Sequence, residues 1–421
     1  MSAEAKDLAV VIIGAGQAGG RAAEALRQGG HAGPITVVGD EIHPPYERPA
    51  LSKEFLADTS LERIAWIRPA AWYAENAITL VGGRKAVRID RAAHAVELDD
   101  GRRLAYGALI LATGTRPRLL PLEGADHSRA LYLRTIEDSL KLYPWLKPDA
   151  HIVVIGAGFI GLEVAAAGRK AGAKVTVLEV GTLPMARGVP ALVGGFYADL
   201  HREQGVDLRT GVTVQRIQDV EGKAGVVLGD SEVLVADAVV IGIGVLPNVE
   251  LAEEAGLAVE NGILVDAHGR TSDPAIYAAG DVTNHDNPLL GRRIRLESWQ
   301  NAQNQAIAVA RNILGAETAY AEVPWFWSDQ FGLNLQIAGV PGPDDQVVQR
   351  GHLGQGPVAF FHLRAGRLVA AIGIDSGRDI RFAKEIIALG GVGVTAEQLA
   401  DPGVALAQIH RALKQAAKAA Q

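Results

Sequence analysis

The chain of 421 residues contains no cysteine. That absence excludes disulfide staples, thiolate metal sites and any redox-active dithiol. Long hydrophobic runs are missing too, since no stretch approaches the roughly 18 apolar residues of a membrane span. An excess of positive charge is also lacking. The formal net charge is −7, so there is no global footprint for nucleic acid. The eleven histidines are scattered, with no H-E-x-x-H or close His/acid cluster, and no metal site is expected. No serine stands in a G-x-S-x-G elbow. The first apolar run starts at Leu8 and breaks at Gly14, too short and wrongly flanked for a signal peptide. A soluble, cytosolic protein is the expectation, and the length suggests two or three domains.

What is present is glycine, in a repeated context. Gly14, Gly16 and Gly19 follow the apolar run Leu8–Ile13, precede a helical stretch Arg21–Gln28, and are followed by a second apolar run Ile35–Val38 with Asp40 just beyond. Gly156, Gly158 and Gly161 repeat the plan after Ile152–Ile155, and the next strand, Val175–Leu178, leads into Glu179. With 49 glycines, composition alone yields roughly 0.7 accidental G-x-G-x-x-G matches, so the flanking strands and helices carry the weight. One glycine permits the tight turn, one lets backbone approach a pyrophosphate, and one lets helix and strand pack closely. The acid accepts from a ribose hydroxyl.

The repeat extends past the turns. After the first unit come β-rich residues 78–90, a hairpin turning at Asp99–Gly101, and a closing strand Ala108–Gly114 that includes Thr113. After the second come residues 206–219, a β-rich stretch Gly222–Gly229, and a closing strand Ala238–Gly244. The chain therefore reads as α/β, with two Rossmann-like dinucleotide-binding domains. Two nucleotides in one protein suggest electron exchange, with a flavin beside a nicotinamide. From Asn334 the pattern changes to alternating strands, followed by helices over Asp379–Leu389 and Ala405–Ala419, which predicts an α+β domain.

Several motifs occur in a telling order: GAGQAG, LSK at 51–53, LATGTRPR at 111–118, GAGFIGLE, IYAAGDV at 276–282 and PWFWSDQ at 324–330. In this combination the chain resembles, over essentially its whole length, the FAD-dependent NADH:ferredoxin reductases of oxygenase systems. These include putidaredoxin reductase-like enzymes and the reductase components of aromatic-ring dioxygenases. The resemblance implies a glutathione-reductase-like architecture, with a discontinuous FAD domain (1–115 and 246–325), an NADH domain (116–245) and a C-terminal interface domain (326–421). It implies that Gly14, Gly16, Ala18 and Gly19 hold the FAD pyrophosphate, with Asp40 at the adenosine ribose, Ala86 at the adenine, and Thr113 and Gly114 nearby. It also places Lys53, Arg134, Trp299 and Trp327 by the flavin, and Gly280 and Asp281 at the ribityl or pyrophosphate region. Gly156, Gly158, Ile160, Gly161, Glu163, Glu179 and Gly244 would serve NADH.

Some residues read two ways. Glu163 falls in the expected first turn of the second helix, either as an acid favoured by the helix dipole with Lys53 solvated, or as a buried partner of Lys53 beside the flavin. Trp325, Phe326 and Trp327 are either core aromatics or an exposed anchor, and the resemblance puts Trp327 on the acceptor side of the flavin. No cation follows Glu179 before Arg187, which favours NADH over NADPH. Arg378, Arg381 and Lys384 recur every three residues, as a solvated face or as a patch steering an acidic ferredoxin, with Arg311 a further candidate.

Without a sulfur relay, electrons must leave the flavin directly for an external carrier, which suits a [2Fe–2S] ferredoxin. The implied activity is NADH:ferredoxin oxidoreduction, serving a haem-thiolate monooxygenase or a ring-hydroxylating dioxygenase. Rival readings are a rubredoxin or organic-radical reductase, and a signalling flavoprotein similar to apoptosis-inducing factor.

Overall fold

The computed structural model describes residues 7–419. The first six residues, on which the reading of a missing leader partly rests, lie outside that range. The chain divides into two units. One comprises residues up to 48, 64–116 and 246–325, and the other 49–63, 117–245 and 326 onward.

In the first unit, a five-stranded parallel sheet runs in the order Ile276–Ala278, Ala108–Leu111, Val10–Ile13, Ile35–Val38, Ile78–Val81. Every residue of Val10–Ile13 is buried, as a parallel strand covered on both faces requires. One cover is a helix pair, Gln17–Gln28 against Trp299–Ile313. Ala22, Ala23 and Leu26 meet Ala302, Ala306, Val309 and Ala310 there, and the small side chains let the helices approach. The first helix starts at Gln17, directly after Gly16, four residues earlier than the apolar pattern suggested. Its partner was not legible as a helix. It is set by Ser298, whose side chain accepts a bond from the Asn301 N–H. On the other face lies an antiparallel meander, Ala86–Asp90, Ala95–Leu98 and Arg103–Ala105.

The second unit repeats this plan. Its parallel sheet runs Asp207–Thr210, Lys174–Glu179, His151–Ile155, Ala238–Ile241, Ala130–Leu131, with a meander over Val214–Val220, Lys223–Leu228 and Val233–Ala236. In both units the strand feeding the glycine turn lies in the middle of the sheet. The outermost strand beyond the closing strand is supplied from downstream in the first unit and from upstream in the second.

The second unit also contains a five-stranded antiparallel sheet in the order Trp325–Gln330, Leu333–Gly339, Arg367–Ile374, Val358–Arg364, Gln346–Arg350. Helix Gly377–Ala388 packs on it, and helix Leu406–Ala419 packs on that helix. Leu335, Ile337, Phe360 and Ile372 of this sheet join Val154, Leu162, Val177 and Tyr197 in one continuous cluster. Among the described residues, no helix is long and apolar enough to cross a membrane.

Candidate functional site

The two glycine turns have the same internal geometry. Gly14 has φ +112° and Gly156 φ +103°, and a Cβ would lie 2.1 Å from the Ala112 carbonyl oxygen or 2.5 Å from that of Gly242. At the third glycine, a Cβ would fall 1.8 Å from the Gly14 oxygen for Gly19, and 2.2 Å from the Gly156 oxygen for Gly161. The protein's own packing therefore demands glycine at the first and third positions. The second position differs. A Cβ on Gly16 would meet nothing nearer than Arg48 Nη2 at 3.9 Å, and one on Gly158 nothing nearer than the Gly242 oxygen at 4.0 Å. Both face open space at a helix N-terminus whose cap residue supplies no side-chain bond. The N–H groups of an uncapped helix start, beside a glycine with open space over it, fit a dinucleotide pyrophosphate.

Gly280 and Asp281 come to the start of the first helix by a specific device. Gln305 Oε1 accepts from both the Gly280 N–H (2.8 Å) and Thr283 Oγ1 (2.9 Å). A Cβ on Gly280, at φ +87°, would stand 3.0 Å from that of Ala18.

The two acids are not equivalent. The Gly14 N–H donates to Val38 and the Gly156 N–H to Leu178, so those residues correspond and the next positions are Gly39 and Glu179. Glu179 turns both carboxylate oxygens to the loop backbone, accepting from Ala157 N and Gly181 N at 2.8 Å each. In the first unit that position admits no acid, because a Cβ on Gly39 would sit 2.4 Å from that of Ala15. Asp40 comes one residue later and is exposed, while Glu41 accepts from Tyr46 and Arg48. Burial works against the Arg48 cation, but Tyr46, Glu41 and Asp40 outweigh it and hold the guanidinium above its ordinary range. Sequence reading missed this arginine beside the first turn. Among the described residues, Glu179 has no ion-pair partner. Arg187 lies by Gly244, and Arg209, across the sheet from Leu178, is held by Asp207 and Glu232.

Lys53 and Glu163 do meet, inside the second unit. Lys53 Nζ stands 2.9 Å from Glu163 Oε2, with the side chains 12% and 1% exposed. The solvated reading of Lys53 is thereby overturned. The first-turn reading of Glu163 is corrected as well: the helix Phe159–Lys170 has no acid in its first turn, and Glu163 is its fifth residue. The dipole fades beyond the first turn, so it does not account for this carboxylate. Side chains do. Ser52 Oγ donates to Oε2 at 2.5 Å, and Ser328 Oγ to Oε1 at 2.6 Å. Neither serine was singled out from sequence. The available signal was polar residues at alternate positions, Ser328 and Gln330, on the buried face of a strand. Trp327 is half-buried in the same strand, its ring centroid 6.0 Å from Lys53 Nζ.

The other expected residues fall in place unit by unit. In the first, Thr113 and Asn248 exchange two bonds of 2.8 Å, and Gly114 (φ +61°) accepts from Asn248 N. Ala86 opens the meander, and Trp299 opens its helix, half-buried. In the second, Arg134 precedes the capping box of helix Ile136–Leu142, Gly244 has φ +105°, and Ile160 is 45% exposed beside the second turn. The basic residues of helix Gly377–Ala388 do not share one face. Three-residue steps carry Arg378 and Lys384 about 120° apart around a helix. Arg378 borders a cavity of about 270 Å³ with Arg350 and Phe382. Arg381 pairs with Glu385 at 3.3 Å, and Lys384 is half-buried. Arg311 is exposed near the end of its helix in the first unit.

Comparison with known proteins agrees with this geometry. The pyridine nucleotide-disulphide oxidoreductase family pattern matches residues 8–306, and a reductase C-terminal pattern matches 325–410. The ferredoxin–NAD(+) reductase component of the anthranilate 1,2-dioxygenase system of Burkholderia cepacia is 47% identical over 399 residues, covering 94% of this chain and 98% of that protein. The crystal structure of the ferredoxin reductase for the CYP199A2 system of Rhodopseudomonas palustris superposes with a TM-score of 0.91 at 40% identity, over 95% of this chain and 99% of that one. The reductase of the covalent putidaredoxin reductase–putidaredoxin complex gives 0.93 at 39% identity, over 97% and 99%.

Proposed function

Given that this chain belongs to the pyridine nucleotide-disulphide oxidoreductase family, we propose that it is an FAD-dependent NADH:ferredoxin oxidoreductase of an oxygenase system. Relatives of nearly the same length are named as ferredoxin–NAD(+) reductase components or putidaredoxin reductase, and a putidaredoxin reductase is captured in a covalent complex with putidaredoxin. The observation that carries the reading is the pair of open second glycines, Gly16 and Gly158, each at the mouth of an uncapped helix in a unit of the same topology.

FAD, when bound, supplies the exchange between a two-electron donor and a one-electron acceptor. We assign it to the first unit. There Gly14, Gly16, Ala18 and Gly19 receive the pyrophosphate, Asp40 the adenosine ribose, and Ala86 the adenine, while Thr113, Gly114, Gly280 and Asp281 shape the remaining wall. Arg48 adds a fixed cation beside the phosphate turn. NADH goes to the second unit, where Gly156, Gly158 and Gly161 form the cradle and Glu179 takes the ribose. A carboxylate with no ion-pair partner of its own repels a 2′-phosphate, so NADH is preferred. Ile160 offers an exposed apolar surface at the turn, and the Lys53–Glu163 pair provides fixed charge close to the helix start. Arg134, Trp299 and Trp327 complete the set of groups that we assign to the reacting rings.

The chain has no cysteine to accept a reducing equivalent, so reduction passes to a separate protein. A [2Fe–2S] ferredoxin is that partner, with Arg378, Arg381, Lys384 and Arg311 as contributors to its docking, and the cytoplasm, where NADH is supplied, is the working compartment. The test is direct: purified holoprotein is yellow, is bleached anaerobically by NADH and reduces a [2Fe–2S] ferredoxin over many turnovers. A colourless protein that takes up no FAD refutes the proposal.

A further inference from the structure

Behind Glu163 lies a run of polar side chains in the core of the second unit. Ser328 Oγ, which donates to Glu163 Oε1, also lies 3.1 Å from Gln330 Nε2. Gln330 Nε2 has a second contact, 3.8 Å to Met185 Sδ, and its Oε1 is 2.9 Å from His201 Nε2. All of these residues are buried.

The direction of each bond follows from its ends. An ionised carboxylate only accepts, so the Ser328 proton is committed to Glu163 and its oxygen is left to accept from Gln330. Gln330 has two amide protons, one facing that oxygen and the other the methionine sulfur. Turned over, its carbonyl oxygen would face two atoms with no proton to give. The amide orientation is therefore fixed, and Gln330 Oε1 needs a donor. His201 is that donor. Burial drives its pKa down to about 4, against a smaller opposing pull from Gln330, so the ring is neutral at working pH with its single proton on Nε2. The remaining ring nitrogen, Nδ1, has no partner and contributes no competing donor. Each donor thus points towards Glu163, and bonds aligned head to tail polarise one another.

We propose that His201, Gln330 and Ser328 form a one-way hydrogen-bond chain that fixes the Glu163 carboxylate, and through it Lys53, for the NADH half-reaction, making Ser328 and Gln330 positioning residues. The proposal rests on the reading of the Lys53–Glu163 pair given above. The chain gathers its members from three separate elements. Ser328 and Gln330 lie two apart on one face of strand Trp325–Gln330, His201 comes from helix Ala191–Glu203, and Glu163 from helix Phe159–Lys170. Lys53 and Ser52 close the other side of the carboxylate. Asp329, the ionisable residue between Ser328 and Gln330, is turned away and accepts from Asn334 at 2.7 Å.

The experiment uses the holoprotein with Ser328→Ala, Ser328→Thr, Gln330→Met and Glu163→Gln, and the double variant Ser328→Ala/Glu163→Gln. Two readouts are taken: anaerobic stopped-flow reduction by NADH, and the extent of acetylation of Lys53 measured by mass spectrometry. Ser328→Ala and Gln330→Met should lower the limiting rate about tenfold while leaving the NADH dissociation constant within about twofold. Ser328→Thr, which keeps the hydroxyl, should restore most of the rate. The double variant should be no slower than Glu163→Gln alone, because the serine acts through the carboxylate. Lys53 should acetylate faster in Ser328→Ala, Gln330→Met and Glu163→Gln. Wild-type rates and wild-type acetylation in both Ser328→Ala and Gln330→Met overturn the proposal, as does full additivity in the double variant. If Ser328→Ala does not fold, Gln330→Met alone decides. A wild-type rate in Glu163→Gln removes the ion pair from the reaction instead, and Lys53 acetylation then still shows whether the chain holds that pair.

Discussion

Lys53 reaches Glu163 across 110 residues of sequence to make a 2.9 Å ion pair, in which the carboxylate is 1% exposed and the ammonium 12%. Truncating one partner of such a pair leaves an uncompensated buried charge, which costs about 3–5 kcal/mol. Lys53→Met should therefore lose stability and slow reduction by NADH, while FAD remains bound. Adding Glu163→Gln removes the stranded charge. The double variant should recover most of the stability, measured by the urea midpoint, without recovering the rate. Recovery of both would make the pair purely structural.

The glycine turns separate folding from binding by position. Gly14→Ala places a methyl group 2.1 Å from a backbone oxygen at a left-handed φ, so it should yield little folded protein. Gly16→Ala and Gly158→Ala add a methyl group to open space and should fold normally. Gly16→Ala should lose FAD, read from flavin absorbance per protein. Gly158→Ala should keep FAD and raise the KM for NADH at least about tenfold, a loss of about 1.4 kcal/mol. Loss of FAD in Gly158→Ala but not in Gly16→Ala would mean that the turns are assigned to the wrong nucleotides.

Glu179 accepts two backbone bonds, so removing its charge while keeping its shape is the informative change. In Glu179→Gln one of the two N–H groups faces an amide nitrogen, but the repulsion of a 2′-phosphate is gone. The preference for NADH over NADPH, as the ratio of kcat/KM values, should fall about tenfold, mainly through NADPH. An unchanged ratio would place discrimination elsewhere.

Much of this architecture was legible because the repeat is written in local patterns. Apolar runs of four to six residues, glycine turns and a trailing acid are all set by neighbours in sequence, and the strands appeared where those patterns predicted. Helix Trp299–Ile313 escaped, because its buried face is mostly alanine, glutamine and asparagine, with only Val309 and Ile313 strongly apolar, and so carries little hydrophobic contrast. Its meaning comes from the facing helix Gln17–Gln28, nearly 300 residues away. Ser52, Ser328, Gln330 and His201 escaped for a related reason. Each is an ordinary polar residue until folding brings it to Glu163. The basic triplet on helix Gly377–Ala388 failed differently. Spacing alone suggested one face, but the partial burial of Lys384 and the pairing of Arg381 with Glu385 divide it.

Docking of the ferredoxin should then depend chiefly on the exposed members, Arg378 and Arg381. Reversing both to glutamate should slow ferredoxin reduction about tenfold at low ionic strength while leaving reduction by NADH unchanged. The two proteins should converge as salt screens the field. A salt-independent deficit would indicate lost packing, and no deficit would move docking to another face, with Arg311 the next residue to reverse.

His285 gives a prediction that is independent of catalysis. It lies in strand Thr283–Asn287 of the first unit, 1% exposed, its ring 5.3 Å from that of Tyr320, and neither ring nitrogen has a hydrogen-bond partner. Burial lowers its pKa from 6.5 to about 4, with Asp286 pulling the other way and Arg293 adding to the shift. The unfolded chain therefore binds the proton first as pH falls. Stability from this residue is complete above about pH 6.5, declines between there and about pH 4, and flattens below, for a total of about 3 kcal/mol. His285→Phe keeps the ring contact, breaks no hydrogen bond and removes the titration. The variant should match or exceed wild type in urea midpoint at pH 7, and its advantage should grow steadily towards pH 4. Parallel stability curves for the two proteins would show that the ring is already hydrated in the folded state, and would end the argument from burial.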